Sequence, residues 1–202
     1  MITIIDYGMG NLQSVYNAFE NLGFPAKISN NPNDVKSADK VVLPGVGAFK
    51  DCLVGVVSGG FKDEIFEFIN KKRPFLGICV GMQMLFEKSF EFGEHDGFGF
   101  IKGFVQKFPQ NIVDKGMKVP HMGWNSVKVL KDHPLLKGVV DGSFLYFVHS
   151  FYAPVNEDTI LECNYGVDFS AAVAKENIMG VQFHPEKSQA LGLRILKNFG
   201  EM

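Results

Sequence analysis

An excess of positive charge is the first thing this chain lacks. Its 20 lysines and arginines stand against 22 acidic residues, a formal net charge of −2, with a pI near 6.2. Without a basic stripe there is no electrostatic footprint for nucleic acid, which is excluded as the expected partner. No apolar run approaches the ~20 residues a helix needs to cross a bilayer, so no membrane partner is expected. The opening residues Met1 to Asp6 have no positive n-region and meet a charge too early for a secretory signal. A cytoplasmic protein is the expectation. Cysteine is scarce too. Cys52, Cys79 and Cys163 are the only three; they make no C-x-x-C pair and no zinc-like spacing, which argues against a disulfide framework. Each cysteine must then serve packing or chemistry.

What is present is an ordinary globular composition, 46% hydrophobic and 21% charged over 202 residues, enough chain for a substantial core. Most of the 20 phenylalanines belong in that core. A few between Phe90 and Phe104 sit among polar residues and are candidates for a partner surface. The first half alternates strand and helix patterns. Ile2–Ile5 is a β-branched run, and Leu12, Val15, Tyr16, Phe19 and Leu22 then repeat at helical spacing until Gly23. Strand-like runs follow at 25–29 and 40–43, a helix at Phe61–Asn70 and a strand at Phe75–Cys79. Met82, Met84, Leu85 and Phe86 return to helical spacing. Such alternation implies a parallel sheet covered on both faces. The second half turns to short β-like runs at 127–130, 144–151, 159–163, 171–174 and 179–183, with Glu176-Asn177 as a hairpin turn, before a helical pattern at 190–199. The expected fold class is α/β in one domain over 1–202, with a mixed, mostly parallel sheet and an antiparallel portion in the second half.

The chemistry concentrates at Gly77-Ile78-Cys79-Val80-Gly81, where a strand pattern turns into a helix pattern. A lone cysteine at the end of a core strand is usually a small hydrophobe. Glycines two residues away on both sides argue otherwise, because a nucleophile elbow needs room there. N–H groups at the start of the following helix favour a thiolate. A thiolate enzyme needs a base, and His184 has the best context of the five histidines, in Gln182-Phe183-His184-Pro185-Glu186. Proline keeps the residue before it extended, and residues two apart on an extended chain face the same side. Glu186 can therefore orient His184, giving a Cys-His-Glu triad.

His95 and His133 lie in polar turns, while His121 and His149 lie amid apolar residues and are expected to be structural. No pair has metal-ligand spacing. An oxyanion needs two donors. Val80, next to the nucleophile, offers one backbone N–H. Pro44-Gly45-Val46-Gly47, at the end of a parallel strand, is the candidate for the second. Asp6-Tyr7-Gly8-Met9-Gly10-Asn11 is no dinucleotide fingerprint, since Gln13 stands where a third glycine is required. Cys52 and Cys163 read as packing.

Together, the Pro44–Gly47 loop, the Gly77–Gln83 turn and His184-Pro185-Glu186 resemble the class I glutamine amidotransferases in motif order and spacing, over the whole chain. Asp6-Tyr7-Gly8-Met9-Gly10-Asn11, Pro120-His121-Met122-Gly123-Trp124-Asn125, His149-Ser150-Phe151-Tyr152 and Lys187 narrow this to the branch of glutaminase subunits of imidazole glycerol phosphate synthases. The resemblance implies a three-layer, flavodoxin-like fold and glutamine as substrate. It implies Cys79, His184 and Glu186 as catalytic residues, and Val46, Gly47 and Val80 around the oxyanion. Gly45, Gln83, Ser150 and Phe151 would hold glutamine, and Asn11 and Lys187 would lie at the interface. It further implies a heterodimer with a (β/α)₈-barrel cyclase subunit that receives the ammonia, and no metal or organic cofactor. The isolated chain is expected to be a poor glutaminase, activated by the loaded synthase. Three other readings remain: a paralogue feeding ammonia to a different synthase, such as one for sugar or glycan amination; a cysteine peptidase or esterase, against which the loop at 44–47 and Gln83 argue; and a non-catalytic interaction module with a decayed site, against which the presence of all three triad members argues.

Overall fold

The structure, a computed structural model, describes residues 1–114 and 116–202. The chain runs β1 (Ile2–Ile5), α1 (Leu12–Asn21), β2 (Ala26–Ser29), α2 (Asn33–Ser37), β3 (Lys40–Gly45), α3 (Phe49–Ser58), α4 (Phe61–Asn70), β4 (Phe75–Cys79) and α5 (Val80–Gln83). It continues with β5 (Phe86–Ser89), β6 (His95–Asp96), β7 (Ile101–Lys107), α6 (Gln110–Asp114), β8 (His121–Val129), β9 (Phe144–His149), β10 (Phe151–Tyr152), β11 (Thr159–Asn164), β12 (Asp168–Lys175), β13 (Ile178–Val181) and α7 (Gln189–Glu201).

Among the described residues the main sheet has nine strands in the order β2-β1-β3-β4-β13-β12-β11-β8-β9. From β2 to β13 every pairing is parallel; from β13 to β9 every pairing is antiparallel. The antiparallel portion thus extends as far as the parallel one. β1 and β4 are buried along their whole length, as parallel strands covered on both faces must be. The helices bury one stripe each: Val15, Ala18 and Phe19 on α1, and Ile195, Leu196 and Phe199 on α7, where Phe19 and Phe199 meet with ring centroids 6.3 Å apart. The two-residue turn Glu176-Asn177 falls as expected between paired Lys175 and Ile178, with Glu176 at φ 53.

Several elements depart from the sequence pattern. The helix after Cys79 is one turn long and the chain re-enters a strand at Phe86. Every residue from Val80 to Phe86 is buried, so the apolar spacing there reflects enclosure on all sides and not one helical face. The stretch 90–104 is no simple polar loop. It contributes β6 and part of a second, four-stranded sheet ordered β10-β7-β5-β6; Phe98 is buried, whereas Phe92 is 83% exposed. α3, whose pattern is interrupted by Gly55, has no counterpart in the sequence reading.

Candidate active site

The carboxyl ends of β3, β4 and β13 lie side by side, and there the site forms. Gly45 pairs with Cys79, and Val181 with Ile78, so neighbouring strands about 4.8 Å apart deliver the loop at 44–47, the nucleophile and His184 to one edge. Cys79 takes φ 56 and ψ −112, a conformation that costs a non-glycine residue about 1–3 kcal/mol. The flanking glycines permit it. A Cβ on Gly77 would run into the Gly81 backbone, and one on Gly81 into the Leu43 carbonyl. Because the helix after Cys79 spans only Val80–Gln83, the electrostatic help expected from it reduces to its first N–H groups.

His184 and Glu186 come together as expected. His184 Nδ1–H donates to Glu186 Oε1 at 2.9 Å, and the two side chains are 3% and 0% exposed. Burial alone would push His184 down. The Cys79 sulfur and the Glu186 carboxylate reverse this, and its pKa rises to about 10. Burial would likewise raise Glu186, but the His184 imidazole holds it below the usual carboxylate range. His184 Nε2 has no hydrogen-bond partner among the described residues, so it is free to exchange a proton at the sulfur. Asn11, expected at an interface, donates its side-chain amide to the same Glu186 oxygen at 3.1 Å. Lys187 is exposed in the turn just beyond.

Cys79 and His184 line one concave, partly open cleft. Val46, Gly47 and Val80 line it as well, as do Gln83, Ser150 and Phe151. Gly45 lies beneath, where a Cβ would sit 2.7 Å from Gly81 N. Gln83 commits its amide N–H groups within the chain, to Phe151 O at 3.1 Å and Gln182 Oε1 at 3.0 Å. It fixes the backbone of the cleft and keeps only its oxygen uncommitted.

The four remaining histidines take other roles. His149 Nδ1–H donates to Phe151 O at 2.8 Å, which leaves His149 Nε2 to accept from His121 Nδ1–H at 3.0 Å. His121 Nε2 then faces the Asn125 amide at 3.3 Å. Burial pushes His121 down to about 4 and His149 down to about 3, so both are neutral and structural, as their apolar context predicts. His133 caps a short turn, accepting from Leu135 N–H at 3.2 Å. His95 is part of β6.

One residue escaped the sequence reading. Glu91 is the only carboxylate lining the cleft among the described residues. Its Oε2 accepts the first N–H of α3, from Phe49, at 2.7 Å, and burial raises its pKa. No local pattern marks it, because it acts from an irregular segment on a helix 42 residues away. No cluster of three or more His, Cys, Asp or Glu is arranged to hold a metal ion among the described residues.

The profile of the family described as "Glutamine amidotransferase class-I" matches residues 3–201. The chain is 52% identical over 205 residues to the "Imidazole glycerol phosphate synthase subunit HisH" of Geobacter sulfurreducens, covering all of this chain and 98% of that protein. It is 50% identical over 206 residues to the subunit of the same name from Syntrophotalea carbinolica, over the full length of both, and 50% identical over 204 residues to that of Methanosarcina acetivorans. Two solved structures resemble its fold. One is described as a glutamine amidotransferase, with a TM-score of 0.75 at 16% identity, covering 100% of this chain and 98% of that one. The other is PurLQS from Thermotoga maritima, with a TM-score of 0.75 at 19% identity, covering 98% and 96%.

Proposed function

Because the chain belongs to the class-I glutamine amidotransferase family, we propose that it is the glutamine-hydrolysing subunit of an imidazole glycerol phosphate synthase. The observation that carries the hydrolysis is the buried Cys79, His184 and Glu186 set at the end of adjacent strands. Relatives of the same length and about 50% identity, each named as a subunit of that synthase, support the assignment and call for a partner subunit. Residues 1–202 act as one glutaminase domain, a reading supported by the single continuous hydrophobic core.

The Cys79 sulfur attacks the side-chain amide carbon of glutamine, and the developing oxyanion is held by N–H groups of Val80 and the Val46–Gly47 peptide. His184, kept protonated by Glu186, gives its proton to the departing nitrogen, and ammonia leaves a thioester. The neutral imidazole then takes a proton from water, which attacks the thioester and releases glutamate. Glu91 faces the α-ammonium group of the substrate, the one cationic part of glutamine, while the backbone at Ser150 and Phe151, braced by Gln83, holds the rest of the amino-acid end. Ammonia passes to a (β/α)₈-barrel cyclase subunit docked over the cleft, which forms imidazole glycerol phosphate and aminoimidazole carboxamide ribonucleotide. Asn11 and Lys187 lie at that docking face, the complex is a cytoplasmic heterodimer, and neither metal nor organic cofactor takes part.

Glutamine turnover by the chain alone, and with the barrel subunit and its nucleotide ligand, tests this reading. Slow hydrolysis alone and at least a tenfold rise in the loaded complex are expected. Equal rates would remove the coupling, and no glutamine hydrolysis in either state would remove the function.

A further inference from the structure

Gln182 comes two residues before His184 and is fully buried, yet the triad chemistry makes no use of it. Its side-chain amide nitrogen stands 3.7 Å from the Cys79 sulfur, hydrogen-bond distance for so large an acceptor. We propose that Gln182 is a further catalytic residue, whose N–H holds the Cys79 thiolate before attack and receives it again when the thioester breaks. Gln83 is the positioning residue that fixes which end of that amide faces the sulfur. The inference rests on the reading of this cleft as a thioester-forming glutaminase site.

Strand pairing brings Gln182 to the nucleophile. Val181 pairs with Ile78 on the neighbouring parallel strand, so Gln182, the next residue, comes level with Cys79. Side chains alternate along an extended chain. Phe183 turns into the core, where its ring centroid lies 5.9 Å from that of Phe147, while Gln182 and His184 turn together toward the sulfur. One strand end thus supplies a fixed donor and a group that exchanges the proton.

The direction of the amide is set by contacts that end on the backbone. Phe151 O can only accept, and it receives both Gln83 Nε2 at 3.1 Å and His149 Nδ1 at 2.8 Å. Gln83 therefore presents its nitrogen, which also donates to Gln182 Oε1 at 3.0 Å. With that oxygen turned to Gln83, the Gln182 amide offers the sulfur an N–H. A buried amide is costly unless its polar atoms are used, and a donor facing an ionised acceptor makes the stronger bond. α5 is a single turn, so this side chain adds a donor beyond the few N–H groups of that helix. The second half of the reaction uses the same contact. When water adds to the thioester carbonyl and the C–S bond breaks, the electron pair leaves on sulfur, and the Gln182 N–H meets that charge as it forms. His184 keeps the proton taken from the water, which restores the thiolate and imidazolium.

The ionisable groups around the sulfur are His184, with Glu186 behind it, and Glu91 and His149 in the cleft wall. Tyr7 and Cys52 act on it from the β1–α1 connection and from α3. All of them stay in place in the variants that follow. Iodoacetamide alkylation of Cys79 in the full chain is measured from acid to alkaline pH by mass spectrometry of the Cys79 peptide. Its midpoint belongs to the Cys79–His184 pair. Gln182→Met keeps the volume and removes the N–H; it should raise the midpoint by about one pH unit or more without lowering the alkaline plateau. Gln182→Glu, which sets a carboxylate against the sulfur, should raise it further. Gln83→Met, which frees the Gln182 amide to turn over, should shift it in the same direction. In the complex with the synthase partner, Gln182→Met should lower kcat for glutamine about tenfold or more. An unmoved midpoint in either Gln182 variant, whatever the plateau, would overturn the proposal, and an unmoved midpoint in Gln83→Met would overturn the role given to Gln83. A wild-type complex that is alkylated at Cys79 but hydrolyses no glutamine would instead overturn the functional reading beneath it.

Discussion

At Glu186 one carboxylate oxygen receives two donors, His184 Nδ1–H and the Asn11 amide. The pKa of His184, raised to about 10, depends in part on that carboxylate. A raised histidine is protonated below its folded pKa and loses its proton as pH rises through it. The proton His184 gives to the leaving nitrogen is thus present below about 10 and disappears above. Replacing Glu186 with glutamine removes the negative charge and lowers that pKa. In a pH profile of kcat/KM, the alkaline limb of Glu186→Gln should move toward neutrality, with a fall in kcat of roughly a hundredfold or more. An unmoved limb would mean that Glu186 does not set the charge of His184. Cys79, His184 and Glu186 were legible in the sequence because glycine and proline constrain the backbone locally, and the chemistry follows from that constraint. Glu91 was not, because its helix-capping and cleft-lining roles arise only when distant segments meet. Cys52 was legible as packing, which it does, whereas the contact of Gln182 with the sulfur needs β13 beside β4.

At the scale of elements, β8 and β9 illustrate how two structural histidines make a strand pair sensitive to acid. His121 and His149 face each other in register and share one proton along their hydrogen bond. Their folded pKa values, about 4 and about 3, lie below the unfolded value near 6.5. The unfolded chain therefore binds protons first as pH falls. Their contribution to stability is complete above about 6.5 and is lost progressively between there and about 3. The slope approaches about 1.4 kcal/mol per pH unit for each histidine. Denaturant titrations between pH 7 and 4 should show this decline, and His149→Phe should flatten it even if the variant starts less stable. A decline of the same slope in His149→Phe would assign the acid sensitivity elsewhere. In the parallel half β1, β4, α1 and α4 were read from their patterns because each is a fully buried strand or buries a single stripe, whereas α2 and α3 were not read. The segment from Val80 to Phe86 misled for the opposite reason, since burial on every side erases the distinction between a helix face and a strand. The elements of the second sheet were invisible because most of them are short and half exposed.

Across the whole molecule, the triad, the cleft and the exposed Lys187 share one end of the sheet, so a partner that covers this end controls the site. Lys187 forms no ion pair among the described residues. Lys187→Glu should weaken binding of the partner synthase subunit about tenfold or more by calorimetry while leaving the thermal unfolding of the free chain unchanged. Unaltered affinity would take Lys187 out of the docking face. The order of the strands has a further consequence during synthesis. β4 is flanked by β3, made before it, and by β13, made about 100 residues later. A growing chain that has released Cys79 from the ribosome still lacks His184 and one of the two strands that enclose the nucleophile. The cysteine is therefore exposed on the nascent chain long before it is armed, and reactivity arrives only when the last quarter of the polypeptide closes the sheet.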